Sequence, residues 1–204
     1  MRCCNSRAIR SILSDRPPLR PEGDYPMRRL PLILAMALSL VAAPALAQER
    51  MSGPVFTKFG SWRPVENNIP VPADGEIKAI FDIVRAAEPG QVNGRIDSAA
   101  RFVNLLVHAG VPEENVKLAI VLHGPSIRDV THDAAYGAAN DGASNASAAA
   151  IAEMIAHGVQ FYVCGQSALS QGITAEDLLP GVLMTYSQTV TTALLHQQGY
   201  QNIP

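Results

Sequence analysis

Paired cysteines, zinc-ligand spacings and phosphate-binding glycine loops are all missing from this sequence. Its 204 residues hold three cysteines, of which Cys3 and Cys4 are adjacent at the N-terminus and only Cys164 lies in the second half. No CxxC or HxxxH spacing accompanies Cys164, and with His123 it supplies two ligands where structural zinc takes four. The stretch HGPS has too few glycines to cradle phosphate. Ser187 lacks the G-x-S-x-G elbow of a nucleophilic serine. No cofactor and no metal is expected, and no internal repeat runs through the chain.

A basic surplus is missing as well, and the N-terminal segment makes this plainer. Met27-Arg28-Arg29 precede the apolar run LPLILAMALSLVAAPALA, which ends in Ala45-Leu46-Ala47. A basic start, an apolar middle and a small-x-small end form a secretory signal, so cleavage is expected after Ala47 and a mature start near Gln48. A membrane anchor is the competing reading, but Pro31 and Pro44 interrupt the run and it falls short of the roughly 20 residues a spanning helix needs. No cysteine stands at the cleavage point to make a lipoprotein. Residues 1–26 are an unusual upstream extension, Met27 is an alternative start, and Sec and Tat export both stay open. The expected location is the periplasm.

Removing residues 1–47 takes away seven Lys/Arg and three Asp/Glu from totals of 16 and 18, leaving nine against fifteen and a net charge of −6. An acidic domain is poorly suited to nucleic acid, which requires a basic face, or to anionic membranes after cleavage. Cys164 then remains alone in an oxidising compartment, with no partner for an internal disulfide.

With 48% hydrophobic and 17% charged residues, the chain has the material for one globular domain. Residues 48–75, with Pro54, Pro64, Pro70 and Pro72, show no period and read as an extended arm. Its Phe56, Phe59 and Trp62 need a surface to pack on, their own domain or a neighbour. From residue 76 to 204 the pattern is regular. Apolar runs at 76–84, 115–124, 159–165 and 181–187 read as strands. Between and after them come helical patterns: Ile96 to Val107 ending at Gly110, one capped by Asn145 with Ala148, Ile151, Ala152 and Ile155 inward, and a last one ending at Gly199. Such alternation implies βαβ units, an α/β fold with a mainly parallel sheet of four to five strands.

Ligands of open parallel sheets bind at the carboxyl ends of the strands. That edge receives His123 and Gly124 from the second strand, Cys164, Gly165, Gln166 and Ser167 from the third, and Tyr186, Ser187 and Gln188 from the fourth. Gly165 allows a sharp turn, and QSALSQ at 166–171 begins a short helix whose free N–H groups face the sulfur and favour its thiolate. His123 is the candidate to tune that thiol, and Gly124, Gly165, Gln166, Ser167 and Ser187 are the candidates to line a substrate site. The inert reading of Cys164, a small buried hydrophobe, stands beside the functional one. Tyr162 and Tyr186 read as packing residues. The long segment 125–144 leaves the same edge and reads as a lid, with Arg128 its candidate for an anionic substrate.

The run VKLAIVLHGPSI, the helix beginning at Asn145, GVQFYVCGQSA, DLLPGV and the terminal QQGYQNIP resemble the DsrE/DsrF-like family, in particular its exported single-domain members, over residues 76–204. The resemblance implies a three-layer α/β sandwich assembling into trimers or hexamers. It also implies kinship with sulfur-relay proteins, in which a cysteine at the position of Cys164 carries a persulfide and passes sulfur between proteins. The expected activity is sulfur handling, as sulfurtransferase or carrier, with a sulfur donor or acceptor protein or a small sulfur compound as partner. Two alternatives stand beside it. One is a non-enzymatic oligomeric module that binds a small ligand while Cys164 only lines the pocket, and the other is a thiol redox sensor.

Overall fold

The computed structural model describes residues 49–204; the expected signal, its cleavage site, Cys3 and Cys4 lie outside them. Five strands form one sheet: β1 (Ile77–Ile83), β2 (Val116–Leu122), β3 (Gln160–Cys164), β4 (Val182–Thr185) and β5 (Gln201–Ile203). Their order is β4-β3-β2-β1-β5, and every neighbouring pair is parallel. The α/β class and the parallel sheet match the reading from sequence. β5 was hidden because Gln201, Asn202 and Ile203 are too few and too polar to register as an apolar run; it is held as an edge on β1.

Five α-helices connect and cover these strands: α1 (Gly94–His108), α2 (Asp133–Ala139), α3 (Ala148–Ala156), α4 (Gly165–Gln171) and α5 (Gln188–Gln197). Side chains alternate across a strand, and the two faces of the sheet are unequally covered. Ala79, Phe81 and Ile83 of β1, Leu118, Ile120 and Leu122 of β2, and Phe161 and Val163 of β3 point to the larger core, filled by Ile96, Ala99, Ala100 and Val103 of α1 and Ile151 and Met154 of α3. Ile80, Ala119 and Val121 point the other way, to Leu195 of α5 and Tyr200. Three layers result, with α5 the principal helix on the second face.

The helix around residue 150 differs in detail from its expected form. Ser147, not Asn145, sits at its cap position, because the Asn145 amide is used elsewhere. Its Oδ1 accepts from the Ser147 N–H (3.0 Å) while its Nδ2 donates to the carbonyls of Asp129 (2.9 Å) and Thr131 (2.7 Å). The buried positions are Ala150, Ile151 and Met154, with Ala152 exposed, so the inward stripe is rotated from the one read off the sequence.

The aromatic arm folds back on its own domain and belongs to the same compact unit as the sheet. The fully buried Asn104 of α1 grips it: Oδ1 accepts from the N–H groups of Val55 (3.0 Å) and Phe56 (2.9 Å), and Nδ2 donates to the carbonyls of Phe56 (2.9 Å) and Gly60 (3.0 Å). Phe56 stacks on Phe59, and Trp62 packs against His108. Gly60, at φ +66°, comes so close to α1 that a Cβ there would stand 2.8 Å from the backbone of Ala100.

The segment after β2 is packed down rather than held out as a lid. Residues Gly124–Val130 form a 3-10 helix and α2 follows, with Ile127, Asp129, Val130 and Tyr136 buried. The Asp129 carboxylate accepts from the Ala87 N–H (2.9 Å) and from Asn93 Nδ2 (2.6 Å), tying this segment to the N-terminus of α1. Burial pushes the Asp129 carboxyl above its usual range, more strongly than the two donors from Asn93 and Ala87 pull it down. A raised carboxyl pKa means that the folded chain holds the proton more tightly than the unfolded one. The ionised carboxylate therefore costs stability, increasingly so as pH rises from the ordinary carboxylate range through the raised value. Asp129→Asn keeps an oxygen acceptor for both donors and removes the charge. It is expected to raise stability near neutral pH by on the order of 1 kcal/mol and to bring no gain in acid. Urea midpoints of the two proteins across that range check this; a gain that does not shrink on acidification rejects it.

Candidate functional site

The alternation that builds the second face also builds the site. Continuing past Ile80, Val121 and Tyr162, the residues next presented on that face are Asp82, His123 and Cys164, and Thr185 pairs with Cys164 on β4. A polar row thus crosses four adjacent strands at the carboxyl end of the sheet. β1 ends on Asp82-Ile83, β2 passes into His123, and β3 ends on Cys164, where α4 begins at once.

Cys164 is 6% exposed, yet it belongs to neither of the two apolar core clusters. Its surroundings are polar. The Ser167 hydroxyl and the backbone N–H groups of Gln188, Ser167 and Gln166 stand on its side of the site and favour its thiolate. Burial pushes the thiol up, but these four donors together outweigh it and leave the pKa below the ordinary cysteine value. Two of the N–H groups come from the first turn of α4, as its place after β3 led one to expect. The third comes from α5, which the sequence reading had not connected to the sulfur.

Ser167 is itself oriented. Its Oγ accepts from the Gly124 N–H (2.9 Å), so its own proton is free for the sulfur, and Gln171, one turn on, donates from Nε2 to the Gly124 carbonyl (2.7 Å). Gly124, at φ +56°, is therefore clasped by α4 through both its N–H and its carbonyl. Gln166 is exposed, with Nε2 3.3 Å from the Tyr186 carbonyl. The Ser187 hydroxyl caps α5 by accepting from the Val190 N–H (3.2 Å). Gly165 does not need an unusual φ; its requirement is steric, because a Cβ there would collide with the carbonyl oxygen of Thr185. Tyr162 is half-buried on the second face, Tyr186 is 85% exposed, and Arg128 is half-buried outside the row.

Sequence reasoning misses Asp82 and, while it brings Gln188 to this edge, gives that residue no role. The Gln188 side chain donates from Nε2 to Asp82 Oδ2 (2.7 Å). Asp82 Oδ1 lies 2.9 Å from His123 Nε2 but makes no hydrogen bond. It is the one buried side-chain oxygen without a hydrogen-bond partner among the described residues. The signal for Asp82 was present: a carboxylate inside the apolar run IKAIFDI has no place in a two-sided sheet unless something polar awaits it. Gln188 is placed at the edge by its position after the fourth strand, but nothing in the sequence shows what its side chain contacts.

Beyond Thr185 the second face opens into a groove of about 540 Å³ between β4 and α5, lined mainly by Tyr162, Met184, Tyr186, Val190 and Leu194. Among the described residues no group of three or more His, Cys, Asp or Glu side chains is arranged to hold a metal, and no helix is long and apolar enough to cross a membrane.

No curated protein matches the sequence. Among solved structures, a protein of unknown function from Methanobacterium thermoautotrophicum, MTH1491, is similar at 17% identity with a TM-score of 0.46, the match covering 64% of this chain and 98% of that one. The sequence profile of the DsrE/DsrF-like family matches residues 78–204, from the second residue of β1 to the C-terminus. That span is more than half of the chain and contains the whole polar row, and the protein belongs to the DsrE/DsrF-like family.

Proposed function

We propose that this protein handles sulfane sulfur, with Cys164 as the accepting and carrying atom. The arrangement that supports this best is a thiol at the carboxyl edge of the sheet, where β3 passes directly into α4 and neighbouring donors lower the thiol's pKa. Such donors lower the thiol's pKa and so raise the share of thiolate, the form that attacks. In the reaction the Cys164 thiolate attacks the terminal sulfur of a persulfide R–S–SH. The S–S bond of the donor breaks, R–S⁻ leaves with the bonding electron pair, and Cys164–S–SH is formed. Sulfur passes on when an acceptor thiolate attacks the outer sulfur and Cys164 departs as thiolate, the same exchange by which disulfides move. No external oxidant enters either step. Family membership supports this reading in its coarser form, a protein related to sulfur relay.

A specific feature favours a second reading, a small-ligand-binding module. The apolar groove beside Thr185 offers volume of the size small-molecule sites use; Thr185, the sheet partner of Cys164, lines it, whereas Cys164 itself does not. Incubation of the wild-type protein with a small persulfide, followed by intact-mass measurement, tests the first reading. One added sulfur per chain is expected, removable by a reducing thiol. An unchanged mass under conditions that load a known persulfide carrier overturns it.

A further inference from the structure

Asp82 is the least explained polar group in the molecule. It stands at the end of an otherwise apolar strand, contacts two residues distant in sequence, and keeps one buried oxygen without a hydrogen bond. The side chain is half-buried, and holding one carboxylate oxygen out of water without a hydrogen bond is costly. The bond its other oxygen makes runs to Gln188, the first residue of α5, across 106 positions of sequence. The backbone N–H of the same Gln188 is the one group lowering the Cys164 pKa that comes from outside α4.

We propose that Asp82 is a positioning residue of the Cys164 site: by accepting the side-chain amide of Gln188, it clamps the start of α5 so that the Gln188 backbone N–H meets the sulfur. The inference rests on Cys164 being a working thiol but goes beyond that reading, because it assigns a task to a residue on a strand that does not touch the sulfur's own strand. β1 is separated from β3 by β2, so the sheet alone does not bring Asp82 to the thiol. Gln188 bridges the gap from above. The Ser187 cap holds the helix end together, the Thr191 hydroxyl ties its first turn to Thr185 of β4 (2.8 Å), and the Asp82–Gln188 bond ties its first residue to β1.

Charge makes the arrangement distinctive. The titratable groups that the neighbouring elements bring toward the thiol are Asp82 from β1 and His123 after β2; β4, α4 and α5 contribute hydroxyl and amide groups. A carboxylate acting through space disfavours a thiolate. Asp82 therefore helps the thiolate only as an acceptor that orients Gln188, and its geometric and electrostatic effects have opposite signs. A substitution that keeps the acceptor and drops the charge separates them.

The test is the pH dependence of Cys164 alkylation by iodoacetamide in the full protein and its variants. Asp82→Ala and Gln188→Ala are each expected to move the midpoint upward and to slow alkylation at neutral pH by roughly threefold to tenfold, the size expected for one lost donor. The double variant is expected to be no worse than either single one, because both break the same bond. Asp82→Asn still accepts from Gln188 and is expected to keep its midpoint at or below that of the wild type. A wild-type profile in Gln188→Ala overturns the proposal, as does an Asp82→Asn protein as impaired as Asp82→Ala. Should Asp82→Ala fail to fold, Gln188→Ala and Asp82→Asn still decide the matter. Sulfur loading is read separately by mass: a shifted alkylation profile in a protein that takes up no sulfur leaves the clamp standing and removes the sulfur-carrier reading.

Discussion

Cys164→Ser is expected to take up no sulfur from a small persulfide while folding as the wild type does. Oxygen replaces sulfur at a position faced by several donors, so Ser167 and the N–H groups of Gln166, Ser167 and Gln188 keep a partner of similar shape. No apolar cluster loses a member, since Cys164 belongs to neither core. The change in stability is expected to stay within about 1 kcal/mol, the range of exchanges that leave hydrogen bonding satisfied. The chemistry is different in kind. A serine hydroxyl is not ionised in the accessible pH range and has no sulfur to make the S–S bond, so the loss is complete rather than graded. The variant also separates the two functional readings. In the binding-module reading the groove beside Thr185 is untouched, and Cys164→Ser retains any ligand it holds. Intact mass after exposure to persulfide, paired with a thermal melt, gives both results. Undiminished uptake by the serine variant refutes Cys164 as the carrier.

What made this site legible in the sequence was the rule that parallel strands deliver their chemistry at their carboxyl ends. The apolar runs ending in His123 and Cys164 were enough to place both at one edge, and the sheet order then makes them neighbours. The rule says nothing about which face a residue takes, because that depends on register. Leu122 pairs with Val163 and Ile83 with Leu122, and only these pairings put Asp82, His123 and Cys164 on the same side. Nor does local sequence announce a bond between residues 82 and 188, and the donor from α5 stayed hidden until the helix was in place. Asn145 is a lesson of another kind. Its cap propensity was correctly read, but tertiary hydrogen bonds to Asp129 and Thr131 took its amide and left the cap position to Ser147. The arm at 48–75 was opaque for the same reason, since its anchor, Asn104, is a polar residue on the buried side of an otherwise ordinary amphipathic helix.

Gly165 and Gly94 provide the sharpest comparison in the molecule, because each is the first residue of a helix and neither has a positive φ. At Gly94 an added Cβ meets nothing within 4 Å. Gly94→Ala is therefore expected to be neutral or to stabilise by up to about 1 kcal/mol, through the smaller entropy lost on folding. At Gly165 the same methyl group runs into the carbonyl oxygen of Thr185, which belongs to the backbone of β4 and cannot rotate away. Cys164 and Thr185 are paired in the sheet, so relief requires either that β4 splay from β3 or that α4 start elsewhere. The first opens the core at Val182; the second withdraws the Gln166 and Ser167 N–H groups from the sulfur. Gly165→Ala is expected to cost about 2–3 kcal/mol, as overpacking against fixed backbone does. For a domain of this size that lowers the melting temperature by roughly 5–10 °C. It is also expected to slow Cys164 alkylation at neutral pH about tenfold or more, since two donors are lost or displaced together. Melting and alkylation of the two alanine variants side by side measure both effects. Equal behaviour of Gly94→Ala and Gly165→Ala contradicts the claim that the thiol's setting depends on the close passage of α4 under β4, whereas a Gly165→Ala protein that melts early but alkylates normally removes only the link between that passage and the sulfur.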